Sequence, residues 1–108
     1  FQLGNSMNGT TVAGGNGQGS ASNQLDTPYG VYVLNKTGAL YIADYNNHRV
    51  QQWNLGATYG KTLAGVTANS GTSLMLLNNP SNTFLNHNET YLYVNDMSNN
   101  RVLRFTMT

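Results

Sequence analysis

The feature that most constrains this chain is internal repetition. When LYIADYNNHRVQQW (40–53) is laid over LYVNDMSNNRVLRF (92–105), Asp44 falls on Asp96, Asn47 on Asn99, Arg49 on Arg101 and Val50 on Val102, each 52 residues on. The same shift carries Pro28 to Pro80 and Phe1 to Trp53, and a one-residue slip brings TVAGG (11–15) onto TLAG (62–65). Self-similarity at a fixed period of this size marks a repeat architecture, in which each unit is one supersecondary element with a face it cannot bury alone. The 108 residues suffice for one small domain. They are read as a single module, 1–108, with one unit at about 9–54, a second at about 61–107 and a short overhang at 105–108.

Within a unit the pattern is that of short strands. GTTVAG, GVYVLN, ALYIAD and RVQQWNL are rich in β-branched and aromatic residues and are bounded by Gly, Asn, Asp or Pro. No stretch sustains a 3.6-residue period over a helical length. Four strands per unit is the count of a propeller blade, so the expected fold is all-β, with two blades of four antiparallel strands in each chain. The connections suit turns: Asn and Asp tolerate left-handed backbone, and Pro28 and Pro80 fix φ just before a strand. About three stacked repeats are usually needed for stability, so two blades predict a larger assembly, six-bladed or multi-chain. Either the chain is part of a longer one, or copies associate into a closed ring or an open filament. Opening on an outer strand near Thr10–Ala13 and ending on a third strand would let one copy complete another.

Charge and composition exclude several function classes. Five Lys and Arg against four Asp and Glu give a net charge of +1, with no basic cluster to hold a phosphate backbone, so nucleic acid is not an expected partner. The absence of cysteine removes disulfides and thiolate metal sites. No apolar run approaches the roughly 18 residues that span a bilayer, and no signal-like segment is present. The first residue is Phe1 rather than Met, which reads as a mature product or an excised fragment.

Asp44, His48 and Arg49 suggest an active site when seen alone. The repeat argues otherwise, because the acid and the guanidinium recur at Asp96 and Arg101 while His48 becomes Asn100. Asp44, Asn47 and Arg49, and likewise Asp96, Asn99 and Arg101, are therefore assigned to a structural turn, with the carboxylate accepting backbone N–H groups and the arginine bonding across to it. AGGNGQGS (13–20) lacks the third glycine and the following helix of a dinucleotide loop, and the Lys of a P-loop, so it is read as a connection. His48 and His87 lie far apart, and the scattered acids show no metal-ligand spacing; no metal and no cofactor are expected. Tyr32, Tyr41, Trp53, Tyr91, Tyr93 and Phe105 fall at strand positions, where core or cross-strand packing is their reading.

The segments PYGVYVLNKTGALYIADYNNHRVQQW and NETYLYVNDMSNNRVLRF, with TVAGG and TLAG before them, resemble NHL repeats. The resemblance implies a β-propeller, commonly six-bladed, whose commonest role is protein–protein interaction. It is specific in the first unit, at Pro28, Gly30, the Leu40–Asp44 strand and Asn47, His48 and Arg49. In the second unit Ser81-Asn82 replaces Tyr29-Gly30, with Asn expected to stand in for Gly at positive φ.

Three N-glycosylation acceptors are present, at Asn8-Gly9-Thr10, Asn35-Lys36-Thr37 and Asn88-Glu89-Thr90. Asn35 and Asn88 fall in the same turn of the two units, and together they favour an extracellular or cell-surface protein carrying N-linked glycans. The sequence is thus read as a non-enzymatic, secreted propeller module for protein–protein interaction and self-assembly. Its expected partners are copies of itself, or the flanking repeats of a longer chain, together with a protein ligand. The alternative is an extracellular lyase or hydrolase of propeller type with a site at the axis, which would need residues converging there. RNA binding, the third reading, would need a basic face that five bases do not supply.

Overall fold

A computed structural model describes residues 7–107, and the structural statements below concern those residues. The correspondence of Phe1 with Trp53, and the last residue of the overhang, lie outside them. Seven strands form two antiparallel sheets. The first sheet has the order β1 (Pro28–Leu34), β2 (Ala39–Asp44), β3 (Arg49–Trp53), β4 (Lys61–Gly65); the second has β5 (Pro80–Leu85), β6 (Tyr91–Asp96), β7 (Arg101–Thr106). Among the described residues there is no α-helix, only 3-10 turns at Tyr45–Asn47 and Met97–Asn99. The class is all-β, and four- and three-stranded meanders are consistent with propeller blades.

The local sequence explains each reversal. Between β1 and β2 the chain turns through Gly38 at φ 78°, whose N–H donates to the Leu34 carbonyl at 2.8 Å. Between β5 and β6 the side chain of Asn86 accepts the N–H groups of Thr90 and Tyr91, both at 2.9 Å, a turn closed by side-chain hydrogen bonding in place of glycine. Both 3-10 turns end on a residue in left-handed conformation, His48 at φ 54° and Asn100 at φ 55°. Histidine and asparagine are among the non-glycine residues most tolerant of that region.

Repeat and sheet are cut at different places. The expected outer strand near Thr10–Ala13 is not a strand in the structure, whereas its repeat partner is β4, paired on β3 with Val50 opposite Ala64. The four-stranded sheet therefore runs from 28 to 65 and takes its last strand from the second unit. The physical reason is that a strand needs a ladder. Lys61–Gly65 finds the free edge of β3, while residues 10–13 have no third strand beside them among the described residues.

Period-two alternation gives each sheet two faces. Ala39, Tyr41, Val50 and Ala64 of the first sheet share one buried cluster with Leu85, Leu92 and Val94 of the second, and Leu77 seals it from the connecting loop. The inner strands β1 and β5 approach so closely that a Cβ on Gly30 would collide with the Asn82 side chain and sit 2.8 Å from the Ser81 carbonyl oxygen. This corrects the sequence expectation for that pair: neither Gly30 nor Asn82 has positive φ, and Gly30 is small because the next sheet passes over it. Gly30→Ala should force the sheets apart and cost about 1–3 kcal/mol, as overpacking does. Urea denaturation measures this, and an unchanged midpoint would mean that β1 and β5 do not pack at this distance.

Candidate functional site

The most heavily bonded cluster of polar side chains lies at the β2–β3 turn. Antiparallel register sets Asp44, the last residue of β2, opposite Arg49, the first of β3, so a turn of four residues closes on an acid and a base. Asp44 is 0% exposed and Arg49 2%, and the Arg49 Nε–H donates to Asp44 Oδ2 at 2.8 Å. Asn47 Nδ2 donates to the same oxygen at 2.9 Å, and the Asp26 backbone N–H donates to Oδ1 at 2.8 Å.

The remaining donors of Arg49 collect the incoming loop. Nη1 donates to the Ser20 carbonyl at 3.1 Å and to Thr67 Oγ1 at 3.2 Å; Nη2 donates to the carbonyls of Ala21 and Gln24 at 3.1 and 2.9 Å. With Nε counted, all five N–H donors of the guanidinium have a partner. Asn47 adds a bond to the Gly19 carbonyl at 2.8 Å.

The second copy repeats this cluster 52 residues on. Asp96 accepts from the N–H of Asn78 and from Asn99 and Arg101, at 2.7, 2.9 and 2.8 Å. Arg101 donates to the carbonyls of Thr72, Ser73 and Leu76, and Asn99 to that of Gly71. One element differs. No counterpart of Thr67 reaches Arg101 among the described residues, and the Arg101 side chain is 24% exposed where that of Arg49 is 2%.

Chemically, these carboxylates are engaged on both oxygens by N–H donors. Each cluster is a clamp that orders a backbone loop, and it presents no free acid–base group to a substrate. Asp26, which the sequence reading does not single out, extends the first clamp. Its Oδ1 accepts from Gln18, Asn46 and Thr27, and these bonds, led by that from Gln18, hold its carboxyl below the ordinary carboxylate range. What it contributes to stability is therefore present above the unfolded-state value and lost as pH falls through the lower folded one. A signal exists in the repeat, since Asp26 and Asn78 stand 52 apart, but the carbonyl acceptors carry no side-chain signature.

His48 and Asn100 divide in role. His48 Nδ1 accepts the N–H of Asn79 at 3.0 Å, tying the first clamp to the start of β5. His87 is exposed on the β5–β6 turn. Among the described residues no group of three or more His, Cys, Asp or Glu is placed to hold a metal ion. A cleft of about 590 Å³, open to solvent, is lined by Thr11, Val12, Asn23, Trp53 and Tyr59 among others, and among the described residues by no carboxylate, imidazole, Lys or Arg.

The asparagines of the three Asn-X-Thr motifs occupy exposed positions. Asn8 precedes the first sheet, Asn35 lies in the β1–β2 turn and Asn88 in the β5–β6 turn. The last two turns are neighbours, joined by an ion pair between the middle residues of their acceptor motifs, Lys36 Nζ to Glu89 at 2.8 Å. That pair raises the Lys36 ammonium above its ordinary value. Most of the Lys36 side chain is in solvent, so the contribution is small. Of the aromatic residues, Tyr32 and Tyr41 pair across β1 and β2, and Trp53 is buried with Nε1 donating to the Ala57 carbonyl at 2.9 Å.

Residues 25–53 match the NHL repeat family. The matched segment takes in β1, β2, β3 and the Asp44, Asn47 and Arg49 side chains of the first clamp, but not the loop those side chains hold. No curated protein matches the chain.

Asp44→Ala leaves a buried guanidinium without its counter-ion and should cost about 3–5 kcal/mol. Asp96→Ala should cost less, because water reaches Arg101. Comparative chemical denaturation reads the order, and equal losses would show that burial does not set the strength of the clamps. His48→Asn should keep the left-handed turn, as Asn100 does, and lose about 0.5–1.5 kcal/mol for the missing acceptor. The same denaturation series tests this, and a full loss of folding would contradict it.

Proposed function

We propose, from the NHL repeat at residues 25–53, that this chain is a non-enzymatic extracellular module that binds protein, and that its principal partner is another copy of itself. An NHL repeat is typically part of a propeller-forming, protein-interaction domain; an extracellular, self-assembling role is the more particular reading. A single observation carries it: the sheets pack one face on each other, and on the opposite faces apolar side chains stay exposed, Val31 and Val33 on the first sheet and Phe84 and Val102 on the second.

The 52-residue correspondence identifies those faces. In the second sheet the face that packs on the first carries Thr83, Leu85, Leu92, Val94, Leu103 and Phe105. Its counterpart in the first sheet carries Val31, Val33, Leu40, Ile42, Gln51 and Trp53; there Val31 is 57% exposed and Val33 is exposed too, while Ile42, Gln51 and Trp53 are already buried within the chain. At the other end Phe84 and Tyr93 stack with centroids 5.2 Å apart beside Val102, which is 64% exposed although its counterpart Val50 is fully buried. Large apolar side chains left exposed together at a blade face suit an interaction site.

By the 52-residue correspondence the two outer faces are the counterparts of the two halves of the interface already formed between the sheets. Joining them is head-to-tail, and it closes a ring if the rotation permits or continues as a filament. Three copies would place six blades in a ring. N-linked glycans at Asn35 and Asn88 would sit on the two neighbouring turns that the Lys36–Glu89 pair joins.

Light scattering on the purified protein tests the reading. A discrete multiple of 11.7 kDa, or a filament, is expected, and Val31→Asp with Val102→Asp should return the chain to a monomer. A folded wild-type monomer at high concentration would overturn it. In a secretory host, glycosidase-sensitive mass at Asn35 and Asn88 is the expected accompaniment; its absence removes the glycan from the proposal.

A further inference from the structure

The fourth strand of the first sheet has a twin that pairs with no strand among the described residues. Residues 11–17 correspond to 62–68 at an offset of 51, and the likeness extends to conformation. Gly14 and Gly65 have φ of 70° and 81°, and Gly17 and Ala68 have φ of 82° and 62°. A Cβ on Gly14 would lie 3.1 Å from Leu25, and one on Gly65 would lie 3.1 Å from Leu77. The N–H of Gly19 donates to the Leu25 carbonyl at 3.3 Å, as the N–H of Gly71 does to that of Leu77. This segment thus shares two left-handed positions and the loop anchor with the stretch through β4, differs from it at Gly15, whose φ is 82° where Val66 is not in the left-handed region, and has no partner strand among the described residues.

The second sheet has the complementary gap. It stops at three strands, so β7 presents an outer edge where β3 carries β4. Its clamp is short of one acceptor, since Arg101 lacks the bond that Thr67 gives Arg49. The residue corresponding to Thr67 in the unpaired segment is Asn16, whose side-chain oxygen can accept a hydrogen bond.

We propose that residues 10–14 of one copy add to β7 of a second copy as the fourth strand of its sheet, with Gly14 opposite Arg101 and Ala13 opposite Val102. The register is that of β4 on β3, where Gly65 lies opposite Arg49 and Ala64 opposite Val50. Asn16 of the donor then approaches the open side of the Arg101 guanidinium. This rests on the self-assembly reading and adds its mechanism: the same docking that covers the open face around Val31 brings the donor segment to the acceptor edge. A space of about 260 Å³ between Val12, Ala13 and Leu25 on one side and Val31, Leu40 and Ile42 on the other lies where the acceptor sheet would enter. An unrelated strand could supply backbone bonds to β7, but not a preset left-handed glycine and a following acceptor at the clamp.

The chain has no cysteine, which gives a clean background for cross-linking. Ala13→Cys and Val102→Cys chains are mixed and treated with a short bifunctional thiol reagent; a linked dimer is expected from the mixture in excess of either variant alone. Ala13→Pro removes a strand N–H and should raise the concentration for half-assembly by roughly tenfold or more. Below the assembly concentration its circular dichroism should match the wild type, because residues 10–13 pair with no strand among the described residues of one chain. If the wild type assembles but no 13–102 link forms and Ala13→Pro assembles normally, strand donation is overturned while self-assembly stands. If the wild type remains at 11.7 kDa throughout, both fall, and the edge of β7 is left to a flanking segment of a longer chain.

Discussion

The fold depends on a buried arginine that has more donors than its own turn can use. Arg49 gives one N–H to Asp44, and its other four reach a hydroxyl and three backbone carbonyls from segments on either side in sequence. Burying such a pair costs desolvation, and apolar residues of similar size often do as well for stability alone. What the pair adds in this fold is definition. A loop rich in Gly, Asn and Ser has little apolar surface with which to dock, so carbonyl-to-guanidinium bonds fix where it runs, and that path delivers the chain to Pro28 at the start of β1.

The same clamp at Arg101 orders the second loop, and the difference between the copies shows what surroundings contribute. The first is closed by Thr67, which follows β4; the second has nothing in that place among the described residues, and its guanidinium meets solvent. Blade stacking shows the same asymmetry. Val50 is fully buried while Val102 is exposed, although both follow an arginine at the start of a third strand. Identical local chemistry thus ends in a core or at a surface according to whether a neighbour is present, as expected of a quasi-one-dimensional array.

Sequence alone reaches the strand content and the grouping of each Asp, Asn and Arg, because register and turn length follow from alternation and from the residues that tolerate left-handed backbone. It does not reach the clamp's remaining acceptors, which are backbone carbonyls with no side-chain identity. Local reasoning makes Gly30 a question of φ, yet the constraint on it comes from β5, a strand some fifty residues away in the chain. The strand expected near Thr10–Ala13 fails for a related reason: propensity proposes a strand, but only a partner edge makes one.

The sequence by itself determined the period, the all-β class and the repeated acid–base turn, since each is written in residue type at fixed spacing. Tertiary structure decided that β4 belongs to the sheet before it, that His48 joins the first clamp to β5, and which apolar side chains on the outer faces stay exposed. Those outcomes depend on contacts between residues far apart in the chain. Spacing records what each repeat is, and packing determines what lies beside it.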